Sequence, residues 1–202
     1  MEREKNELEK NEKTDILTEF RTVKPPSNLE LINRINQAIS EDNPKLLGDY
    51  FEKVKKIAFD YLTLGYYEEQ FSIYLYNITF RTLTQEQLVE YEQKVNPLLS
   101  SGNTYLADVY LTAFYIQDIS LDYAKEKMLK EQIGKDIKYV VPPIKEGLEI
   151  PFDSKVKFLK LLPLPVYNLI VDKLYEFTLL VNTAIRFFDK IIPFFSKTEI
   201  TS

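Results

Sequence analysis

Histidine and cysteine are both absent from this 202-residue chain. Without them the chain has no Ser–His or Cys–His nucleophile system and no imidazole or thiolate ligand for a metal. A zinc site would have to use carboxylates alone, which is unusual. The lack of cysteine also excludes a disulfide framework. We therefore predict a protein that is not an enzyme, with no catalytic residues, no metal and no cofactor.

Glycine is scarce, and its few positions are far apart. The chain has five, at Gly48, Gly65, Gly102, Gly134 and Gly147. No two of them have the spacing of a phosphate-binding or dinucleotide-binding loop, and no Gly-Lys-Ser/Thr sequence is present. No Asp-rich calcium loop is present either. The sequence thus contains none of the usual nucleotide-binding or calcium-binding motifs.

Positive charge is outweighed by negative charge, with 26 Lys and Arg against 31 Asp and Glu. Nucleic-acid binding depends on a positive surface, and no dense run of Lys or Arg is present. The aromatic residues Phe71, Tyr74, Tyr76 and Phe80 are a conceivable base-stacking platform. Only Arg81 accompanies them as a basic residue, so packing in a core or an interface is the favoured interpretation. We expect no direct nucleic-acid binding.

Long uninterrupted apolar runs are also missing. The most apolar segment, residues 166–195, contains six charged side chains. A charge near the centre of a bilayer costs about 2.5–3.5 kcal/mol even on the gentler scales. We therefore expect no membrane span and interpret the segment as a deeply packed helix. The first 13 residues hold five Glu and four Lys or Arg, and they lack the apolar core of a secretory signal.

Aromatic residues are abundant, with 14 Tyr and 13 Phe. Tyr combines apolar area with a polar tip, so Tyr-rich surfaces often bind other proteins. AT-biased coding, which favours Tyr, Phe, Ile, Asn and Lys, explains the composition equally well. Composition alone leaves these two explanations open.

The pattern predicts a mainly α fold with a small β element (α+β). Residues 1–27 are a charged, flexible N-terminal arm that contains Pro25-Pro26. Residues 28–141 form a helical bundle with one short strand or hairpin around residues 70–83. Pro142-Pro143 marks a boundary, after which residues 142–202 form a C-terminal subdomain with one long helix. The predicted helices are 28–43, 46–64, 84–95, 104–119, 121–133, 154–162 and 166–190.

The β element is predicted from β-branched and aromatic residues between Phe71 and Leu83. Asn77 marks either a bend or bulge, or a turn between two short strands. Thr84 and Gln87 then have the spacing of a capping box that opens a helix, which Asn96-Pro97 should end. Glu68-Glu69, before the strand, has the composition of a glycosidase pair. A charge pair that keeps an exposed strand edge soluble is the favoured interpretation.

The long C-terminal helix has one narrow polar stripe, and most of its circumference is apolar. Such a helix should be surrounded by protein, either its own chain or a partner. Together with the arm, its apolar face is the predicted docking element. The candidate protein-contact residues are Phe71, Tyr74, Tyr76, Phe80, Ile170, Leu174, Phe177, Phe187 and Phe188.

Two segments carry a family resemblance. Residues 77–84, NITFRTLT, followed by an acidic helix through Glu90, resemble a recurring segment of tail and baseplate assembly proteins of tailed bacteriophages. Residues 158–167, FLKLLPLPVY, resemble the Leu-Pro joint before the final helix of such proteins, and the stretch 106–119 is similar in character. These proteins include baseplate hub components and tail assembly chaperones.

The resemblance implies a non-enzymatic structural or assembly role in the tail or baseplate region. It implies several copies in contact with other virion proteins, located in the virion or in the host cytoplasm during assembly. The alternative is a helical adaptor or regulatory module that binds a host or viral protein without joining the particle. An enzyme using carboxylates and Tyr is the least favoured of the three hypotheses.

Overall fold

Helices dominate the fold, as the sequence predicts. The computed structural model describes residues 27–134 and 137–198, so almost all of the predicted arm, 1–27, lies outside the described residues. The described part contains helices α1 (Asn28–Ser40), α2 (Phe51–Leu64), α3 (Gln85–Ser100), α4 (Thr104–Tyr115), α5 (Tyr123–Ile133), α6 (Phe152–Leu161) and α7 (Leu164–Thr198), and strands β1 (Glu68–Ile73), β2 (Tyr76–Arg81) and β3 (Ile116–Leu121). The prediction of a mainly α fold with a small β element is confirmed.

Local capping signals fix several helix ends. Ser27 caps α1, where its hydroxyl accepts a hydrogen bond from a backbone amide. At the start of α3, Thr84 Oγ1 accepts from the Gln87 amide at 3.3 Å, and Gln87 Oε1 accepts from the Thr84 amide at 3.1 Å. The predicted capping box is confirmed, and it joins β2 to α3 over three residues. Gly65, with φ 78°, ends α2 as expected.

Proline interrupts α3 less than expected. The prediction that Asn96-Pro97 ends this helix is wrong, because the helix continues to Ser100 with Pro97 inside it. Proline lacks one N–H group, yet its carbonyl still accepts from the Ser101 amide at 3.1 Å. Because Pro97 lies so close to the helix end, the lost hydrogen bond weakens only the last turns. Residues 44–50 also differ from the prediction, since they form 3-10 helical turns on either side of a kink at Gly48, before α2.

The predicted β element is a hairpin of β1 and β2. Ile73 pairs with Tyr76, so the turn consists of Tyr74 and Leu75 alone, and Asn77 lies within β2. Leu75 is fully buried. Because Leu75 is buried, the turn lies at two residues that are neither Gly, Asn nor Asp. The sequence pattern therefore does not predict a turn at this position.

A third strand, β3, pairs with β2 and completes an antiparallel sheet of order β1-β2-β3. The sequence prediction that residues 104–119 are one helix is wrong after Tyr115. A bulge at Thr79/Phe80 shifts the register, so that Ile116 pairs with Phe80 and Ile119 pairs with Ile78. Two inward residues therefore lie three apart, which imitates the spacing of a helix face.

The core lies between the sheet and α7. This helix packs against α1, α2 and β1. Phe177 is fully buried, and its ring centroid lies 5.9 Å from those of Tyr67 and Phe80 and 6.3 Å from that of Phe71. The predicted boundary at Pro142-Pro143 falls in the connection between α5 and α6. Side chains from both sides of it share one hydrophobic core, and the division into two parts stays a prediction.

Candidate protein-docking site

Most of the predicted contact residues are occupied by their own chain. The buried ones, each at most 5% exposed, are Tyr76, Phe80, Ile170, Leu174, Phe177 and Phe187. Phe71 and Phe188 are half-buried. Tyr74 is 43% exposed. A partner can therefore reach Tyr74 on the folded chain, whereas the six buried side chains are accessible only if α7 or the sheet leaves the core.

The most exposed of the large apolar side chains that the structure describes lie before α6, in a segment that we call the projecting loop, residues 142–149. Its Ile144 and Leu148 are 84% and 90% exposed. Pro142-Pro143 stiffens its start. A turn forms its tip, where Gly147 has φ 70° and the Glu146 amide donates to the Glu149 carbonyl at 3.0 Å. The loop thus presents two large apolar side chains to solvent on a constrained backbone.

Contacts at both ends and in the middle hold this loop in place. Before it, the backbone N–H and C=O of Val140 both bond to Tyr76 Oη, at 3.1 and 3.0 Å. Within it, Lys145 Nζ lies 3.2 Å from Asp118 Oδ1 on β3. After it, Ile150 is 2% exposed and belongs to the core. Burial raises the pKa of Tyr76 above its ordinary value, which disfavours loss of the proton that its hydroxyl donates to the Val140 carbonyl.

A groove of about 490 Å³ lies beside residues 138–140, between the hairpin turn and the joint of α6 with α7. We call it the docking groove. Its walls are mostly apolar or aromatic, and Lys138 is the one charged residue among the described residues that line it. Leu161, on its wall, is 60% exposed, and the neighbouring Leu164 is 62% exposed. The lining residues are Tyr74, Tyr76, Lys138, Tyr139, Val140, Leu161, Pro163, Pro165 and Val166.

Tyr74 occupies its place on the groove wall at a conformational cost. It is the first residue of the two-residue turn and has φ 52°. Hairpin turns place Gly, Asn or Asp where φ is positive, since a bulky side chain is strained there. Such strain costs about 1–3 kcal/mol and tends to persist at binding sites. The exposed aromatic ring lines the groove in spite of this cost.

Comparison with known proteins identifies no relative of this chain. No protein-family model matches the chain, and no curated protein or solved structure matches it significantly.

One polar cluster brings together residues that the sequence analysis did not connect. Lys125 Nζ donates to Ser72 Oγ at 2.6 Å, and Ser72 Oγ donates to Asp122 Oδ2 at 3.2 Å. The other oxygen of Asp122 caps α5 by accepting from the Lys125 amide at 3.1 Å. In this arrangement the ammonium donates to the serine and does not take its proton. The cluster attaches α5 to the hairpin, and its groups are exposed or partly exposed.

The carboxylates considered as a glycosidase pair lie in separate ion pairs. Glu68 bonds to Arg81 on the adjacent strand. Glu69 Oε1 lies 3.3 Å from Lys53 Nζ, and its other oxygen accepts from Asn28. Adjacent strand residues point to opposite faces of a sheet, so the two carboxylates do not converge on one point. Across the described ranges, no group of three or more acidic side chains is arranged to hold a metal ion.

In the part of the chain that the structure describes, no helix has both the length and the apolar character needed to cross a membrane. The residues that sequence reasoning missed are Ile144, Leu148 and Leu161. Ile144 and Leu148 stand alone between Pro, Gly and charged residues. An isolated large apolar residue next to a turn glycine identifies Leu148, whereas Ile144 and Leu161 have no glycine beside them.

Proposed function

We propose that this chain is a non-enzymatic protein-binding component of an assembly. The projecting loop and the docking groove are its contact surfaces. The observation that carries this proposal is the exposure of Ile144 and Leu148, at 84% and 90%, on a loop anchored by Tyr76, Lys145 and Ile150. Burying a leucine in an interface contributes about 1.5–3 kcal/mol. A constrained loop loses little entropy when it binds, which favours affinity.

Within that class, we propose a structural or assembly protein of a tailed bacteriophage, acting in the tail or baseplate region. The support is the resemblance of residues 77–84 and 158–167 to such proteins. Both segments lie close to the proposed contact surfaces. Residues 77–81 belong to β2, which begins directly after the hairpin turn, and four of the residues in 161–166 line the groove.

Capture experiments with a matched pair of variants test the proposal. The tagged chain is incubated with purified tail and baseplate proteins of a tailed phage and, separately, with host lysate. We expect capture of a tail or baseplate protein, lost in Leu148→Asp and retained in Leu62→Asp, because Leu62 is a 59% exposed leucine on α2, remote in sequence from the loop. Capture of a host protein alone would support the adaptor function instead. Equal capture by both variants would contradict the role of the loop.

A further inference from the structure

We infer that the docking groove of one copy takes the projecting loop of a second copy of this chain. This inference rests on the proposed function, since it names one partner for the same surfaces. Leu148 at the loop tip is 90% exposed, so the loop does not fill the groove of its own chain. The contact is therefore intermolecular.

The dimensions of the two surfaces agree. An apolar cavity of about 150 Å³ holds a benzene-sized group. A groove of about 490 Å³ has room for two large side chains such as Ile144 and Leu148. Tyr74, Leu161 and Val166 offer it an apolar wall. Two leucine-sized side chains buried in that wall would supply most of the binding energy.

The charges agree as well. Glu146 and Glu149 are exposed on either side of Leu148. The groove carries Lys138, and Lys160 is exposed next to Leu161. The lysine of the loop, Lys145, is paired with Asp118 of its own chain. The tip is thus an apolar side chain flanked by carboxylates, and the groove is an apolar wall flanked by ammonium groups. Opposite charges at the rim of an interface fix its register and speed association.

The two surfaces are different parts of the chain, so the contact is heterologous. Each copy offers a loop to one neighbour and a groove to another. Contacts of this type build rings when the rotation closes and open filaments when it does not. We therefore expect oligomers that grow with concentration and do not stop at a symmetric dimer.

Sedimentation velocity on purified chains tests this arrangement. Leu148→Asp removes the tip and leaves the groove, whereas Leu161→Asp alters the groove and leaves the tip. Each variant alone should self-associate about tenfold to a hundredfold more weakly than the wild type, the loss expected for one buried leucine. Leu62→Asp, at an exposed position of α2 that belongs neither to the loop nor to the groove lining, should assemble like the wild type. Circular dichroism and thermal melting of each variant verify that it is folded.

Mixing the two variants is the decisive step. Leu148→Asp retains a groove and Leu161→Asp retains a tip, so an equal mixture has one intact contact and should give a heterodimer that does not grow.

A charge exchange gives a second test. Glu146→Lys and Lys138→Glu should each weaken assembly, and the chain that carries both should recover it.

A wild type that stays monomeric at all concentrations would overturn the inference, as would folded Leu148→Asp and Leu161→Asp chains that assemble normally. A mixture that forms no heterodimer would do the same. These results are separate from the test of the proposed function. A monomeric chain that still captures a tail or baseplate protein through Leu148 would keep its proposed function and lose only the second copy as its partner.

Discussion

Apolar side chains that face the core in α7 and those of the projecting loop lie in opposite environments, with Leu174 5% exposed and Leu148 90% exposed. In α7 they recur with the period of a helix, and α1, α2 and β1 cover that face. In the loop they follow no period, and the turn at Gly147 points Leu148 away from the core. The large apolar residues that recur with the period of a helix in α7 pack against their own chain. Those of the projecting loop, outside such a pattern, stay exposed and are available to a partner.

The largest effect is expected for Leu174→Asp. An unpaired charge buried against the core costs about 3–5 kcal/mol, a large part of the stability of an ordinary domain. We expect a strongly lowered urea midpoint, or no folded protein. Leu169→Asp, on the same helix at 48% exposure, is the control and should keep a near-normal midpoint. A normal midpoint for Leu174→Asp would mean that this face of α7 is not part of the core.

Tyr76→Phe tests the anchor that holds the segment before the projecting loop against the hairpin. The substitution removes the hydroxyl that bonds to both backbone groups of Val140. A lost hydrogen bond that leaves buried groups unpaired costs about 1–3 kcal/mol. We expect faster hydrogen exchange of the Val140 amide as well as lower stability. Tyr175→Phe, at a 65% exposed position, should change neither; slow exchange at Val140 in Tyr76→Phe would show that other contacts hold the loop.

Tyr74→Gly separates stability from binding. Glycine accepts φ 52° without strain, which should recover about 1 kcal/mol after its own entropy cost. The same change removes an aromatic side chain from the groove. We expect a higher melting temperature together with weaker self-association. If both properties fell together, the ring at Tyr74 would be part of the fold and not of the contact.

Lys155→Met tests a charge that lies just after the loop, on α6. Burial lowers the pKa of Lys155, and the carboxylate of Glu149 offsets part of that effect. The folded state therefore binds its proton less tightly than the unfolded chain does, and the ammonium opposes folding at neutral pH. We expect Lys155→Met to be more stable than the wild type at neutral pH by less than about 1 kcal/mol.

The difference should shrink as pH rises from the lowered pKa towards 10.5, the ordinary pKa of lysine, because the folded wild type then releases its proton before the unfolded chain does. Urea denaturation of both chains across this range measures it. A difference that is constant with pH would show that packing, and not the charge, distinguishes the two chains.

The smallest effect on stability is expected for Leu148→Asp. A substitution at an exposed site away from caps and core contacts usually changes stability by less than about 0.5 kcal/mol. An unchanged urea midpoint, together with lost assembly, would complete the contrast with Leu174→Asp. A midpoint lowered as far as that of Leu174→Asp would remove the contrast between the two regions.

Sequence patterns predicted the elements whose causes are local. Ser27, the Thr84–Gln87 box and Gly65 fix helix ends through bonds within a few residues, and these helix ends lie within one residue of the predicted bounds. The patterns failed where distant residues decide. The bulge opposite Ile116 and Ile119 made a strand look like a helix, and burial of Leu75 put the hairpin turn before Asn77. The candidate contacts were chosen for apolarity, which selected mostly core residues.

By itself, the sequence determined the mainly helical character of this protein, its helix caps and the absence of histidine and cysteine chemistry. These depend on residue type and short-range spacing. Only the tertiary structure decided which apolar residues face inward and which remain in contact with water. Packing of α7 against the sheet fills the core with Phe177 and its neighbours, while the Tyr76, Lys145 and Ile150 anchors hold Leu148 outside it. Burial depends on which distant segments meet, and no local pattern contains that information.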